Sequence, residues 1–392
     1  MRHYDFIFAG GGLASLSLAY RLIQCSLRDT SILIIDHDAK QRNDRTWCFW
    51  APAGQPTLFD GIVSHEWDWL RVASDGWNKD IALRNYRYQM IRGIDLYRFA
   101  RQQLSAAPNV AFLQATVEAI EDRDELVTVM ADGNRFQGQW VFDSRFNLAH
   151  FKPNPERYHF LRQYFKGWLI ETPRASLDPR VATVMDFRTP QQNEMRFFYV
   201  LPFSETCALV EFVALSPDPS DEALQAYVKA ILKIDDYQIL AREGGVNPLT
   251  DYPFPRRASP HVMRIGTPGG RVKPSSGYAF TRIQQNSTAI VNSLERSGHP
   301  FDVAPDSAYY RLCDTLLLDL MQHHGAQIEP IFAALFQNNP IERVLRFLDE
   351  SASPAENAQL IVSLPPKPFL QTLWNMRGRV ARTQFAAGAV GN

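Results

Sequence analysis

Between Tyr4 and Asp36 the spacing of apolar residues changes period twice. Asp5–Ala9 and Ser31–Ile35 are short, nearly continuous apolar runs, the pattern of parallel strands buried on both faces. Between them Leu13, Leu16, Ala19, Tyr20 and Ile23 recur at helical spacing. Gly10-Gly11-Gly12 turns the chain from the first strand into the helix, and Asp36 closes the second strand. Further on, residues 62–90 alternate apolar and polar in short runs and predict strands of an insert. Leu96, Phe99, Ala100 and Leu104 predict a helix from Asp95 to Leu104. Val110–Leu113, Ala115–Ile120 and Leu126–Met130 predict strands, with a hairpin at Asp132-Gly133 and a further strand, Trp140–Phe142, running into Asp143-Ser144-Arg145.

Four more strands are predicted within 165–215: Phe165–Glu171, Val181–Phe187, Met195–Leu201 and Ala208–Leu215. Asp218-Pro219-Ser220 caps a helix over Glu222–Ile234, and Pro248, Pro253 and Pro255 break the chain. Val262–Ile265 is a strand leading into Gly266-Thr267-Pro268-Gly269-Gly270, with Pro274 and Gly277 before a helix from Tyr278 to about Leu294. From Asp306 onward the period is helical. The result is an α/β chain with a Rossmann-type unit, an inserted mixed β-sheet domain and a helical C-terminal region.

Composition narrows the function classes. The formal net charge of -1 over 392 residues offers no general field for nucleic acid. Cys25, Cys48, Cys207 and Cys313 are scattered, with no pair at metal-ligand spacing, so no metal site is expected and a reducing cytoplasm is. No stretch reaches the roughly 18 apolar residues of a membrane span, and no signal peptide is read at the N-terminus. The 25 Phe, 14 Tyr and 8 Trp suit a large core or a pocket for a long apolar ligand. Asn357–Asn392 carries Lys367, Arg377, Arg379 and Arg382 with no acid, interleaved with apolar residues; such a tail fits a membrane surface as well as an ordinary packed helix.

The Tyr4–Asp36 unit carries the chemistry of dinucleotide binding. Gly10 permits the tight turn and Gly12 a close approach of pyrophosphate. The free N–H groups at Leu13 and Ala14 start the helix facing the phosphate charge. Asp36 is placed for ribose hydroxyls, which disfavours a 2′-phosphate there. Ser15 replaces the usual third glycine. The second glycine block, Gly266, Thr267, Gly269, Gly270 and Gly277, fits a flavoprotein whose nucleotide domain is discontinuous, and Arg45 is a candidate for the flavin side of the pocket or for a surface ion pair.

Several longer blocks are more specific: Asn43-Asp44-Arg45-Thr46-Trp47, Met185-Asp186-Phe187-Arg188, Leu201-Pro202-Phe203-Ser204 with Leu209-Val210-Glu211, Lys273-Pro274-Ser275-Ser276-Gly277-Tyr278 and Arg346-Phe347-Leu348-Asp349-Glu350. With them the chain resembles the lycopene β-cyclases of bacterial carotenoid pathways, FAD proteins of aromatic-hydroxylase-like architecture, almost end to end. The resemblance implies Glu211 as catalytic acid. The family's plant-like pattern has two adjacent acids, whereas Phe212 follows Glu211 here; Glu243, before Gly244-Gly245, is the distant candidate for the second. It also implies reduced FAD as cofactor, NAD(P)H as its reductant, lycopene or another carotenoid with ψ ends as substrate, and attachment to the inner face of the membrane. Trp47, Phe49, Phe198 and Tyr199 are candidates for stabilising a carbocation by cation–π contact.

Glu211 also stands out on its own. It lies in an apolar strand, sharing a face with Leu209, Val213 and Leu215, and burial there would favour a neutral carboxyl. The expected division is a nucleotide unit at 1–50, an insert at 51–94 and the nucleotide domain again at 95–150. A substrate domain at 151–258 carries the catalytic strand; the second glycine block lies at 259–300 and helices at 301–392. The competing readings are a flavin monooxygenase or prenyl reductase of the same fold, and an isoprenoid-binding protein without turnover. Gly266-Thr267 in place of a Gly-Asp pair counts against a standard hydroxylase.

Overall fold

The computed structural model describes residues 2–123, 125–217 and 219–377. Strand β1 (Arg2–Ala9) feeds through the glycine turn into helix α1 (Leu13–Leu22) and then β2 (Ile32–Asp36). Phe6–Ala9 of β1 and Ile32–Ile35 of β2 are apolar and buried because helices cover one face of the sheet and a hairpin the other. Next come β3 (Thr46–Pro52), β4 (His65–Trp67), β5 (Trp69–Ser74), β6 (Trp77–Ala82) and β7 (Tyr86–Arg92). Helix α2 (Gly93–Ser105), β8 (Val110–Gln114), β9 (Val117–Asp122), β10 (Val127–Ala131) and β11 (Asn134–Asp143) follow. The turn between β10 and β11 has Asp132 and Gly133 at positive φ (42° and 73°), the mirror-image turn that an Asp-Gly pair favours.

The substrate region adds β12 (Phe160–Glu171), β13 (Val181–Asp186), β14 (Arg196–Pro202), β15 (Cys207–Ala214), helix α3 (Asp221–Ala230) and β16 (Gln238–Thr250). After β17 (Arg257–Ser259) and β18 (Val262–Arg264) the chain is helical: α4 (Phe280–Ser297), α5 (Ala308–His323), α6 (Ile328–Asn338), α7 (Ile341–Leu348), α8 (Pro354–Val362) and α9 (Pro366–Asn375). Arg379 and Arg382 of the expected basic tail lie outside the described residues, as does Asp218 of the expected cap.

Three sheets result. The nucleotide sheet runs β17-β18-β11-β1-β2-β8, with β18, β11, β1, β2 and β8 parallel. The substrate sheet runs β16-β12-β15-β14-β13-β5-β6, and a small sheet β3-β7-β4 stands between the two. The fold is a Rossmann-like flavoprotein fold with an inserted β-sheet domain and a helical C-terminal region, as the sequence indicates.

The sequence pattern gives no strand at β3, β16 or β17, and two further details depart from it. Helix α3 stops at Ala230, not Ile234, because Lys233 takes a left-handed conformation (φ 59°) that ends the turn; Ser220 caps its start, accepting from Ala223 N–H at 3.1 Å. Pro248 does not break the chain; it lies within β16. β16 is an edge strand, where half the N–H groups have no ladder partner and proline is tolerated.

β3 is the wall between two cores. Its alternation sends Trp47, Phe49 and Ala51 into the nucleotide-domain core and Cys48 and Trp50 into the core shared by the substrate sheet and the C-terminal helices.

Candidate active site

The first glycine turn is set by a close approach. Gly10 has φ 105°, and a Cβ there would fall 2.3 Å from Ser144 Oγ at the end of β11. Ser144 is held to Ala9 through its N–H at 2.9 Å and its hydroxyl at 3.1 Å. Ser15, the departure from the glycine pattern, is fully buried and donates to Ser144 Oγ at 3.1 Å. A small polar residue thus closes the contact that a third glycine would make. Gly12 caps α1 with no side-chain hydrogen bond and no acid in the first turn, and a Cβ on Gly12 would meet nothing within 4 Å. The N–H groups that open the helix around Leu13 and Ala14 therefore face open space, as a pyrophosphate cradle requires. Asp36 accepts from Gly11 N–H and, at 2.7 Å, from Asp38 N–H, with Lys40 Nζ 3.7 Å away. It fixes the turn between β1 and α1 and the chain that follows β2.

The second glycine block meets the first. A Cβ on Gly266 would fall 3.1 Å from Ala14 Cβ. Thr267–Gly269 form one turn of 3₁₀ helix closed by Gly270. Gly277 packs on Gln163 and Asn247, and so joins the nucleotide domain to β12 and β16. Arg45 stands exposed at the head of β3, its guanidinium on the carbonyl of Asp44 at 3.4 Å.

The second feature is a pair of carboxyls. On β15, Val210 and Phe212 pack into the cluster beneath α3, while Leu209 and Val213 face the other core, on Glu211's side. In the register, Glu211 lies opposite Tyr199 of β14 and Gly167 of β12, and Gly167 lies opposite Glu243 of β16. The two glutamates thus flank a glycine across three strands. Next-but-one strands are about 9.6 Å apart, twice the usual spacing. Two glutamate side chains span that gap only if the residue between has no side chain. A Cβ on Gly167 would fall 3.0 Å from Glu243 Cγ and 3.2 Å from Leu209 Cδ1. Thr46 Oγ1 donates to Glu243 Oε2 at 3.2 Å from the head of β3.

Glu211 keeps some accessible surface, yet burial pushes its carboxyl well above the ordinary glutamate range, and the charge and hydrogen bonding of Glu243 act in the same direction. Burial, together with the two glutamates, also raises the Cys48 thiol. Tyr278 lies close by; burial raises its hydroxyl, aided by Cys48 and Glu211.

An apolar cavity of about 100 Å³ lies nearby; Tyr278 lines it, and neither glutamate does. Trp50, Tyr88, Tyr278, Phe332, Leu345 and, from α9, Phe369 are among its lining residues. Trp50 donates its indole N–H to Asp349, whose carboxyl burial pushes up to about 7 against the pull of Trp50 and Lys273. Buried Lys273 joins the second glycine block to the helices, 3.1 Å from Asp314 and 3.0 Å from Glu350.

The aromatic expectations need correction. Phe49 stacks on Phe280 at 4.1 Å and Trp47 packs beside it, both in the nucleotide-domain core. Phe198 is sandwiched with Phe212 and Tyr227 on the far face of the substrate sheet. The period of two places all three away from the carboxyls; only Tyr199 shares their side. Trp50, Tyr88 and Asp349 were missed. Trp50 is one step out of phase with Trp47 and Phe49, a signal the strand alternation carried. Gly167 carried no signal, since only register places it; Thr46 stands in a specific block, but its contact with Glu243 needs the fold. Among the described residues no group of side chains has metal-site geometry, and no helix is long and apolar enough to cross a membrane.

Comparison with known proteins agrees with this architecture. Lycopene beta-cyclase of Pseudescherichia vulneris is 26% identical over 386 residues, covering 93% of this chain and 95% of that protein. Neoxanthin synthase of Solanum tuberosum is 22% identical over 336 residues, covering 80% and 65%. Among solved structures, a flavin-dependent brominase superposes with a TM-score of 0.67 at 14% identity, over 96% of this chain and 100% of that one, a likeness of fold. A family model for lycopene cyclase proteins matches residues 5–374, and the chain therefore belongs to the lycopene cyclase family.

Proposed function

We propose that this chain is a lycopene β-cyclase, closing the ψ ends of lycopene to β rings without net oxidation or reduction. The observation that supports the reading is Glu211, whose carboxyl burial and Glu243 bias toward the protonated form, near Tyr278 of the apolar cavity. A neutral carboxyl has a proton to give, and the apolar walls exclude the water that would compete for it. Glu211 donates that proton to the terminal double bond of a ψ end. The tertiary cation is attacked by the neighbouring double bond and a six-membered ring forms. The new cation returns a proton to the carboxylate pair and leaves the β double bond. Thr46 fixes Glu243, and Gly167 keeps the path between the two carboxyls open. Tyr199, Tyr278 and Trp50 lie on this side of the sheet, and a cation over one of their rings would gain ~0.5–2 kcal/mol.

The cradle at Gly10, Gly12 and Gly266, with its open helix start, fits FAD, with Asp36 at the ribose. Bound and reduced by a nicotinamide donor, FAD would supply negative charge that stabilises the cation in a dry site.

The test is single-turnover conversion of lycopene in detergent with chemically reduced FAD and no nicotinamide. Wild type should form β rings with no stoichiometric flavin oxidation. Flavin oxidation matched to product would establish a reductase or monooxygenase instead. Glu211→Gln should retain fold and flavin and lose ~10²–10⁴ in rate. An active Glu211→Gln beside a dead Glu243→Gln would move the acid to Glu243.

A further inference from the structure

Two adjacent acids at the end of α7 have different partners. Glu350 takes a left-handed backbone (φ 60°) and meets cations: it accepts from Lys273 at 3.0 Å and from Arg282. Lys273 is also held by Asp314 at 3.1 Å, and Arg282 lies 3.7 Å from Asp306. Asp349 has neutral donors instead, the indole N–H of buried Trp50 and the hydroxyl of Thr281. An amide oxygen can accept from both without the cost of burying a charge, so packing alone favours Asn at this position. A carboxyl there calls for a use of its charge.

The use lies along β3. Thr46, Cys48 and Trp50 alternate onto one face, four residues or ~13 Å of strand from end to end. Thr46 donates to Glu243 at one end, and Trp50 donates to Asp349 at the other. Between them Cys48 feels the charge of Glu211 and Glu243, and the buried hydroxyl of Tyr88 faces Tyr278 and Cys48. Trp50 meets Tyr278 edge-on, with ring centroids 5.3 Å apart and planes at 75°. Tyr278 in turn feels both Glu211 and Asp349. A second cavity of about 20 Å³, the size of one water, is lined by Cys48, Trp50, Tyr278, Thr281, Arg282 and Asp349 among others. Trp50 and Tyr278 also line the larger apolar cavity, and Asp349 does not. Seen from the larger cavity, the carboxyl stands behind the aromatic pair.

We propose that Asp349 is a positioning residue of this site: its carboxylate fixes the Trp50 indole edge-on to Tyr278 and puts negative charge behind those rings, so that they hold the cation formed at Glu211 more strongly. The attraction between a cation and a ring face is electrostatic, and negative charge behind the ring adds to it. The proposal rests on the cyclase reading for the cation and on the Trp50 contact for the geometry. Glu211 remains the acid, and Asp349 acts through the rings. Burial carries the Asp349 carboxyl to about 7, with Trp50 and Lys273 pulling it down and Glu350 pushing it up, so it ionises across neutral pH. Glu211 is raised well above its ordinary range. Cyclisation should therefore rise with pH through about 7 and fall only where the glutamate pair ionises.

The experiment measures single-turnover cyclisation with reduced FAD from about pH 5 to 9 for wild type, Asp349→Asn, Trp50→Phe and the double variant. Wild type should gain about three- to tenfold along the neutral limb. Asp349→Asn should lose that limb and stay near the acid rate, with flavin content unchanged. In the Trp50→Phe background, which has no indole N–H, Asp349→Asn should cost less than about twofold more. A full second loss there, or an Asp349→Asn profile like that of wild type, would overturn the proposal. The contact is also read without turnover, in protein labelled with nitrogen-15 at the tryptophan indoles. One indole N–H signal should move with a midpoint near pH 7 in wild type and stand still in Asp349→Asn, whether or not Trp50→Phe folds. No such signal in wild type would overturn the proposal as well. A wild type that forms no β rings would end the cyclase reading and the cation with it, while the indole signal still shows whether Asp349 governs Trp50.

Discussion

Glu211 shows the cost of placing a carboxyl in the apolar face of a sheet. Its folded-state pKa lies well above the ordinary glutamate value, through burial first and Glu243 second. A group raised in this way contributes its full stability below the unfolded value, near 4.5, and loses it as pH rises through the folded value. Glu211→Gln removes that loss. The variant should therefore unfold about 2–5 °C above wild type at alkaline pH, with the gain vanishing in acid where both are neutral, as thermal melts across pH will read. An inactive variant that is more stable is what a buried catalytic carboxyl demands. Gly167 makes the complementary test. The methyl of Gly167→Ala would press on Glu243 Cγ from 3.0 Å and Leu209 Cδ1 from 3.2 Å, so Glu243 must give by a few tenths of an ångström. A misplacement of ~1 Å costs up to ~100-fold, so this smaller one should lower the single-turnover rate by roughly threefold to tenfold while flavin content is unchanged. Normal turnover in Gly167→Ala would show that the pair does not act together.

At the scale of elements, β3 and the end of α7 organise the site. β3 gives Thr46 to Glu243 and Trp50 to the cavity from one face, while its other face, through Phe49 on Phe280, locks onto the nucleotide domain. A shift of either domain must therefore move the site. Asp349 receives Trp50 from the end of α7, and burial lifts its carboxyl to about 7. By the same sign rule, its contribution to stability is present below the ordinary aspartate range and is lost as pH rises through about 7. Asp349→Asn keeps an oxygen for the Trp50 indole and should flatten the melting temperature between about pH 5 and 8. An unchanged slope across that window would place the titration elsewhere. β16 makes the contrasting case: Pro248 reads as a chain break in sequence, yet an edge position lets proline and two glycines sit in a strand that carries Glu243.

For the whole molecule, three loops close one cradle: the turn at Gly10, the end of β11 at Ser144 and the block at Gly266 meet where parallel strands end. Gly10→Val would drive a side chain into Ser144, so the purified variant should release little or no flavin on denaturation where wild type releases about one FAD per chain. Flavin retained in full would detach the cradle from the cofactor. Much of this layout is legible in sequence. Period and glycine placement mark β1, α1, β2 and the second block, because local sterics and one-sided burial act within a few residues. Glu211 stands out because an acid in an apolar strand is a local contradiction. The basic, apolar character of α9 is also written locally. What the sequence left open depends on pairing between distant strands. The opposition of Glu211 and Glu243 across Gly167 needs the register of three strands from separate parts of the substrate region. The replacement of Phe49 and Phe198 by Trp50 and Tyr88 as cavity aromatics needs to know which core each strand face meets. Side-chain chemistry and turn geometry are properties of a few neighbouring residues, and the sequence determines them; which carboxyls come to lie side by side is a distance across a sheet, and only the tertiary structure decides it.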